Sequence, residues 1–217
     1  MDIKAVVFDL DGTLADTVPL TIVAIKEIVR ELTGKELSDD DVSREFGPVD
    51  TQIVRNLLDE QNGEKGVELY VRFFSEKFNE FVKPIDGIYE LIKYLRETGI
   101  KVGLFTGRGL RVSKIILEKL NLSGFFDVVL SGDDTTKPKP DPEGILKVLE
   151  KLCVSPHESV YTGDFEVDVL ASKAAGVTSV LALWSSTASE ELKNLNPDKS
   201  FESPYDFIEW VKTVKIK

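Results

Sequence analysis

Two rhythms of apolar residues alternate from residue 84 onward. Short apolar runs at 102–105, 128–130, 159–162 and 177–183 predict strands. Between them Ile88, Leu91, Ile92 and Leu95, then Val112, Ile115, Ile116 and Leu120, then Ile145, Val148, Leu149 and Leu152 recur at helical spacing. Strand alternating with helix predicts an α/β fold, a parallel sheet with helices on both faces. A first strand over 4–9 stands far upstream of the others. From about 17 to 82 no strand-like run occurs, while three or four helical patterns do. One puts Val18, Ile22, Ile25, Val29 and Leu32 on a stripe, and another puts Val67, Tyr70, Phe74, Phe78 and Phe81 on one. Aromatic stripes at that spacing are read as helix cores. The chain thus divides into an α/β core, 1–16 and 83–217, and an all-helical insertion, 17–82, with Pro84-Ile85-Asp86-Gly87 marking the return. Ser38 ahead of Asp39, Asp40 and Asp41 predicts a capping box at a helix start rather than a metal cluster.

Composition narrows the chemistry. The 217 residues are 42% hydrophobic and 30% charged, as in an ordinary globular protein, so long-range disorder is excluded. A net charge of −11 opposes binding to a nucleic-acid backbone or an anionic membrane. The single Cys153 allows no internal disulfide and stands where a helix should end; the single His157 follows a proline in a polar loop. Neither supports a multi-histidine metal site or a thiolate phosphatase. Catalysis would therefore rest on carboxylates, lysine, hydroxyls and a hard metal ion. No run approaches the roughly 18 apolar residues of a membrane helix, and Met1-Asp2-Ile3-Lys4 lacks a secretory layout, so a cytoplasmic location is expected.

The candidate chemistry begins at the end of the first strand, Phe8-Asp9-Leu10-Asp11-Gly12-Thr13. Side chains two apart on an extended segment point the same way, so Asp9 and Asp11 can converge, while Gly12 lets the chain turn. At about 4 Å and an effective dielectric near 20 their repulsion is roughly 4 kcal/mol, which calls for a cation or a shared proton. Open, Rossmann-like parallel sheets hold ligands outside the carboxyl ends of their strands, and more polar groups fall there. Thr106-Gly107-Arg108-Gly109 offers a hydroxyl and flexible backbone amides opening a helix, suited to an anion. Lys137-Pro138-Lys139-Pro140-Asp141-Pro142 fixes a lysine's backbone before a helix. Gly163-Asp164-Phe165-Glu166-Val167-Asp168 puts two acids one helical turn apart.

In this order the motifs resemble the haloacid dehalogenase superfamily of phosphatases and phosphotransferases, over nearly the whole chain. The helices after the first motif resemble that family's smaller cap. Asp-Gly-Thr-Leu-Ala-Asp-Thr at 11–17, and more loosely Phe-Gly-Pro at 46–48, are most similar to its phosphoglycolate phosphatase and pyrophosphatase branch. The resemblance implies a phosphatase acting on a small phosphorylated metabolite, with Asp9 as the nucleophile that forms an aspartyl-phosphate and Asp11 as the general acid and base. Thr106, Gly12, Gly107, Arg108 and a lysine would neutralise the transferring phosphoryl group. Lys137 is favoured over Lys139 because it stands first in its motif. Magnesium would be held by Asp9, the main-chain carbonyl of Asp11, and Asp164, with Asp168 steadying that shell.

Rival readings are weighed by residue. Dehalogenating members lack the second aspartate, present here as Asp11, and phosphonate-cleaving members use a cap lysine, absent from 44–59. β-Phosphoglucomutases often carry Val where this chain has Thr13, which leaves a sugar-phosphate mutase as the enzymatic alternative, beside a pyrophosphatase. A non-enzymatic binding module would be expected to lose the nucleophile, base or metal ligand, and this chain keeps all three. The leaving group would be read by the insertion, where Arg44, Arg55 and Arg72 are either readers or solvated charges.

Overall fold

Four consecutive buried residues, Ala-Val-Val-Phe, make the first strand, β1 (Ala5–Phe8), and an apolar run of this kind with no polar face suits only a strand covered on both sides. The computed structural model, which describes residues 2–185 and 188–214, places β1 between β2 (Lys101–Phe105) and β4 (Ser159–Gly163), both parallel to it. With β3 (Val128–Leu130), β5 (Thr178–Ala182) and β6 (Lys199–Phe201) the sheet has the order β3-β2-β1-β4-β5-β6, parallel throughout.

Alternation along β1 separates two cores. Val6 and Phe8 pack with Leu91 and Leu95 of α5 (Ile88–Glu97), Val112 and Ile116 of α6 (Leu110–Lys119), and Phe207 of α9 (Pro204–Thr213). Ala5 and Val7 face the other way, onto Ile145 and Val148 of α7 (Glu143–Leu152) and Ala171 and Ala175 of α8 (Glu166–Ala175). The expected Rossmann-like α/β architecture is therefore present. Strand β6 was not anticipated, because Lys-Ser-Phe is short and polar and its place is set by pairing at the sheet edge with β5 rather than by any apolar run.

Between β1 and α5 the chain forms α1 (Val18–Thr33), α2 (Asp39–Ser43), α3 (Asp50–Leu57) and α4 (Gly63–Phe81). Helix α1 carries a proline in its first turn and stops at Gly34 in the left-handed conformation. Its buried Leu20, Ala24, Ile25 and Ile28 meet Val67, Tyr70, Phe74 and Phe78 of α4 in one cluster; of the expected α1 stripe Ile25 and Val29 are buried while Val18, Ile22 and Leu32 are half-buried, and of the α4 stripe Phe81 is 36% exposed at the helix end. The Ser38–Asp41 capping box is formed. The chain leaves and rejoins the sheet at one place, where Ala15 bridges Pro84 in antiparallel fashion. Cys153 caps the end of α7 and is exposed, as is His157. Among the described residues no helix is long and apolar enough to cross a membrane.

Candidate active site

The carboxyl ends of β1, β2 and β4 open into one cleft. The amide of Asp9 continues the ladder by donating to the Thr162 carbonyl at 2.9 Å, which holds the aspartate in line with β1 and leaves its side chain at the cleft floor, 6% exposed. Gly12 then turns the chain at φ +73°, and a Cβ there would lie 2.0 Å from Oδ2 of Asp164. Only glycine admits both the left-handed turn and that approach. At the end of β2, buried Thr106 accepts from the Arg108 amide at 3.1 Å. At the end of β4, Asp164 receives the hydroxyl of Thr13 at 3.3 Å, and Asp168, in the first turn of α8, accepts from the Phe165 amide at 3.1 Å.

Oxygens of Asp9, Asp164 and Asp168 all lie within 4.8 Å of one another. Five carboxylates in the cleft lining, those of Asp9, Asp11, Asp50, Asp164 and Asp168, face the two cations Arg108 and Lys139. A hard, all-oxygen donor set with excess negative charge, beside a glycine whose missing Cβ leaves it room, fits a divalent cation such as magnesium. The Asp11 carboxylate stands outside that cluster.

Of the two candidate lysines, the structure brings in Lys139. Its Nζ donates to Asp9 at 2.7 Å, Asp168 at 2.6 Å and the Tyr161 hydroxyl at 3.2 Å. Lys137, the one favoured from the motif, keeps 69% of its side chain exposed and reaches only Asp141, at 3.4 Å. This corrects the expectation, and the cause is local. Glu143, in the first turn of α7, takes the amides of Thr136 and Lys137 at 3.1 and 3.0 Å, which anchors that end of the segment at the surface. The chain enters the cleft two residues later.

Burial is the main influence pushing Asp9 well above the ordinary carboxylate range, and the neighbouring acids add to it while Lys139 opposes it. Burial works against the Lys139 ammonium too, but Asp168 and Asp9 outweigh it and hold its pKa well above the usual lysine value.

Arg108 sits opposite, between β2 and the inserted helices. Its Nε donates to both oxygens of Asp11, at 2.9 and 3.0 Å, and its Nη2 to Asp11 at 2.7 Å and to Thr21 at 2.8 Å. Its Nη1 reaches Asp50 and the Tyr70 hydroxyl, each at 3.1 Å, and the guanidinium lies 5.2 Å from the centre of the Phe74 ring. Asp11 also accepts the Thr17 hydroxyl, on the Oδ1 that takes the Nε and Nη2 bonds. Asp50 also accepts the Gly109 amide at 3.1 Å; burial raises its pKa, against the pull of Arg108 and two amides. Asp50, Tyr70, Thr21 and Tyr161 carried no local signal, since each lies in an apolar helical or strand pattern and becomes polar machinery only on meeting Arg108 or Lys139. Arg44, Arg55 and Arg72 lie outside the cleft lining and pair with Asp41, Glu64 and Glu76, as solvated charges do.

The cavity measures about 610 Å³ and takes Val18, Phe46 and Pro48 as its apolar wall on the insertion side. Such a space admits a small molecule reaching from Asp9 to Arg108.

Residues 6–182 match the family of haloacid dehalogenase-like hydrolases. A phosphoglycolate phosphatase of Aquifex aeolicus (strain VF5) is 31% identical over 205 residues, covering 94% of this chain and 95% of that protein. The pyrophosphatase PpaX of Bacillus velezensis is 30% identical, with 95% of each chain covered. The crystal structure of a predicted phosphoglycolate phosphatase from Haemophilus somnus 129pt superposes with a TM-score of 0.83 over 97% of this chain and 99% of that one; at 19% identity it supports the fold.

Proposed function

Because the chain belongs to the haloacid dehalogenase-like hydrolase family, as an enzyme of the phosphoric monoester hydrolase type, we propose that it hydrolyses a small phosphorylated metabolite through an aspartyl-phosphate on Asp9. The observation that carries this reading is the buried Asp9 carboxylate at the end of β1, aimed into a cleft beside the donor cluster and bonded to Lys139. Asp9, Asp164 and the main-chain carbonyl of Asp11 would hold magnesium, with Asp168 steadying them. The ion would offset the charge that otherwise keeps a carboxylate from a phosphoryl group.

In the first step an Asp9 oxygen bonds to phosphorus, and the bond from phosphorus to the leaving oxygen breaks with its electron pair staying on that oxygen. Asp11 gives the leaving oxygen a proton. In the second step a water attacks the aspartyl-phosphate and passes a proton to Asp11, which releases phosphate and restores both acids. Lys139, the Thr106 hydroxyl and the Gly107 amide face the charge carried by the transferring oxygens. Helices 17–82 act as the cap that covers this chemistry, and the working location is the cytoplasm.

Asp9→Asn tests the nucleophile. Steady-state phosphate release from small phosphomonoesters should fall to background while the circular dichroism spectrum stays that of the parent, and more than a few per cent residual turnover would sink the assignment. Chelator should stop the parent enzyme and magnesium should restore it. Magnesium should also raise the melting temperature of the parent and raise that of Asp164→Asn much less.

A further inference from the structure

The position of Asp11 is at odds with its assigned task. Its carboxylate stands outside the cluster around Asp9 and is clamped by Arg108 and the Thr17 hydroxyl. To reach the leaving oxygen of an ester at Asp9 it must swing away from that clamp. The swing breaks the bonds from Nε and Nη2 to a carboxylate and leaves only Thr21, on Nη2, along that edge of a guanidinium whose side chain is only 5% exposed. A buried edge that loses its charged acceptor is costly unless a new one arrives. Nothing else on that side supplies a positive charge. Among the described residues lining the cavity the one other cation is Lys139, engaged at Asp9 and Asp168, and the insertion wall beside Arg108 is Val18, Thr21, Phe46 and Pro48 with the acid Asp50, already paired to Nη1.

We infer that Arg108 is the leaving-group reader: when Asp11 turns to the bridging oxygen, an anionic group on the leaving side of the substrate takes its place on Arg108. The planar fork that now grips one carboxylate in a bidentate way is matched to another carboxylate or to a phosphate, and poorly matched to a neutral hydroxyl. The exchange keeps the charge beside Arg108 unchanged, with Asp50 as the permanent partner on Nη1. It selects esters that bear a second anion close to the scissile bond and disfavours neutral sugar phosphates. The inference rests on the hydrolase reading above and adds the substrate class to it.

The test compares kcat/KM of the parent and of Arg108→Lys on 2-phosphoglycolate, pyrophosphate and 2-hydroxyethyl phosphate, the last a neutral ester of similar size. The parent should favour at least one anionic substrate over the neutral ester by tenfold or more, the range of a charge-assisted bidentate pair. Which of the two it favours tells a carboxylate from a phosphate. Arg108→Lys, which keeps the charge and loses the fork, should cost the favoured substrate at least tenfold more than it costs the neutral ester. Equal turnover of all three by the parent overturns the inference without need of the variant, so a failure of Arg108→Lys to fold does not shield it. Equal losses in the variant overturn it as well. Hydrolysis without discrimination removes the inference alone, whereas no hydrolysis of any ester removes the hydrolase reading and the inference with it.

Discussion

Lys137 and Lys139 are two residues apart and of the same type, yet one side chain is 69% exposed and the other 8%. Replacing Lys139 by alanine would leave Asp9 and Asp168 buried without their cation, a loss on the order of 3 kcal/mol in metal-free protein. We expect turnover at least a hundredfold lower and a clear fall in the urea midpoint, against a change of less than about 0.5 kcal/mol for Lys137→Ala. Comparable effects of the two substitutions would return the lysine question to where the motif left it. Glu143 sets which lysine turns inward. The hydrogen bonds from Lys147 and then from Thr136 lower its pKa from an ordinary 4.5 to about 2. An acid with a depressed folded pKa stabilises the fold fully above its ordinary value and stops doing so as pH falls through the depressed one. The stability difference between the parent and Glu143→Gln, read as urea midpoints, should therefore be largest at neutral pH and narrow from about pH 4.5 toward 2. A difference that does not change across that window would argue against the carboxylate as the anchor.

At the scale of elements, two glycines set how closely segments approach. A methyl at Gly12 would meet Asp164 at 2.0 Å, and one at Gly144 would meet the Phe105 ring at 2.0 Å, where α7 lies against the end of β2. Gly12→Ala should cost at least a hundredfold in kcat/KM, because the turn and a proposed metal ligand are displaced together. Gly144→Ala should act through packing and lower stability by about 1–3 kcal/mol, seen as a lower melting temperature. Gly12→Ala with parental turnover would place the turn outside the chemistry. The long, strongly periodic elements were legible in the pattern alone. β1, β2, β3 and β4 fall within a residue of their expected spans, because apolar runs with no polar face have few other places to go. Strand β6 was not, because an edge strand of three residues owes its existence to a neighbour's unpaired amides and carbonyls.

At the scale of the molecule, two ion pairs among the described residues tie the inserted helices to the core, beside the apolar cluster the two share, and magnitude decides which of the pairs matters. Arg111 of α6 pairs with Glu68 of α4 at 2.7 Å in solvent, with side chains 49% and 66% exposed. Arg108 pairs with Asp50 at 3.1 Å with both side chains about 5–6% exposed, and Tyr70 joins them. Arg111→Ala should change stability by less than about 0.5 kcal/mol, whereas Asp50→Ala, which strands part of a buried guanidinium, should cost about 3 kcal/mol or more in denaturant titrations. Equal, small effects would mean that the buried network does not hold the inserted helices to the core. The residue order alone was enough to specify the parallel sheet, the place of the helical insertion and the acidic strand ends at Asp9, Asp11, Asp164 and Asp168. Those follow from periodicity and from strand direction, which act over a few residues. The choice of Lys139 over Lys137 and the clamp of Asp50, Tyr70 and Thr21 around Arg108 needed the folded chain. Glu143 acts locally on the first of these, but the bonds from Lys139 to Asp9 and Asp168, like those around Arg108, join groups tens of residues apart, and a side chain's environment is set by the partners that packing brings to it.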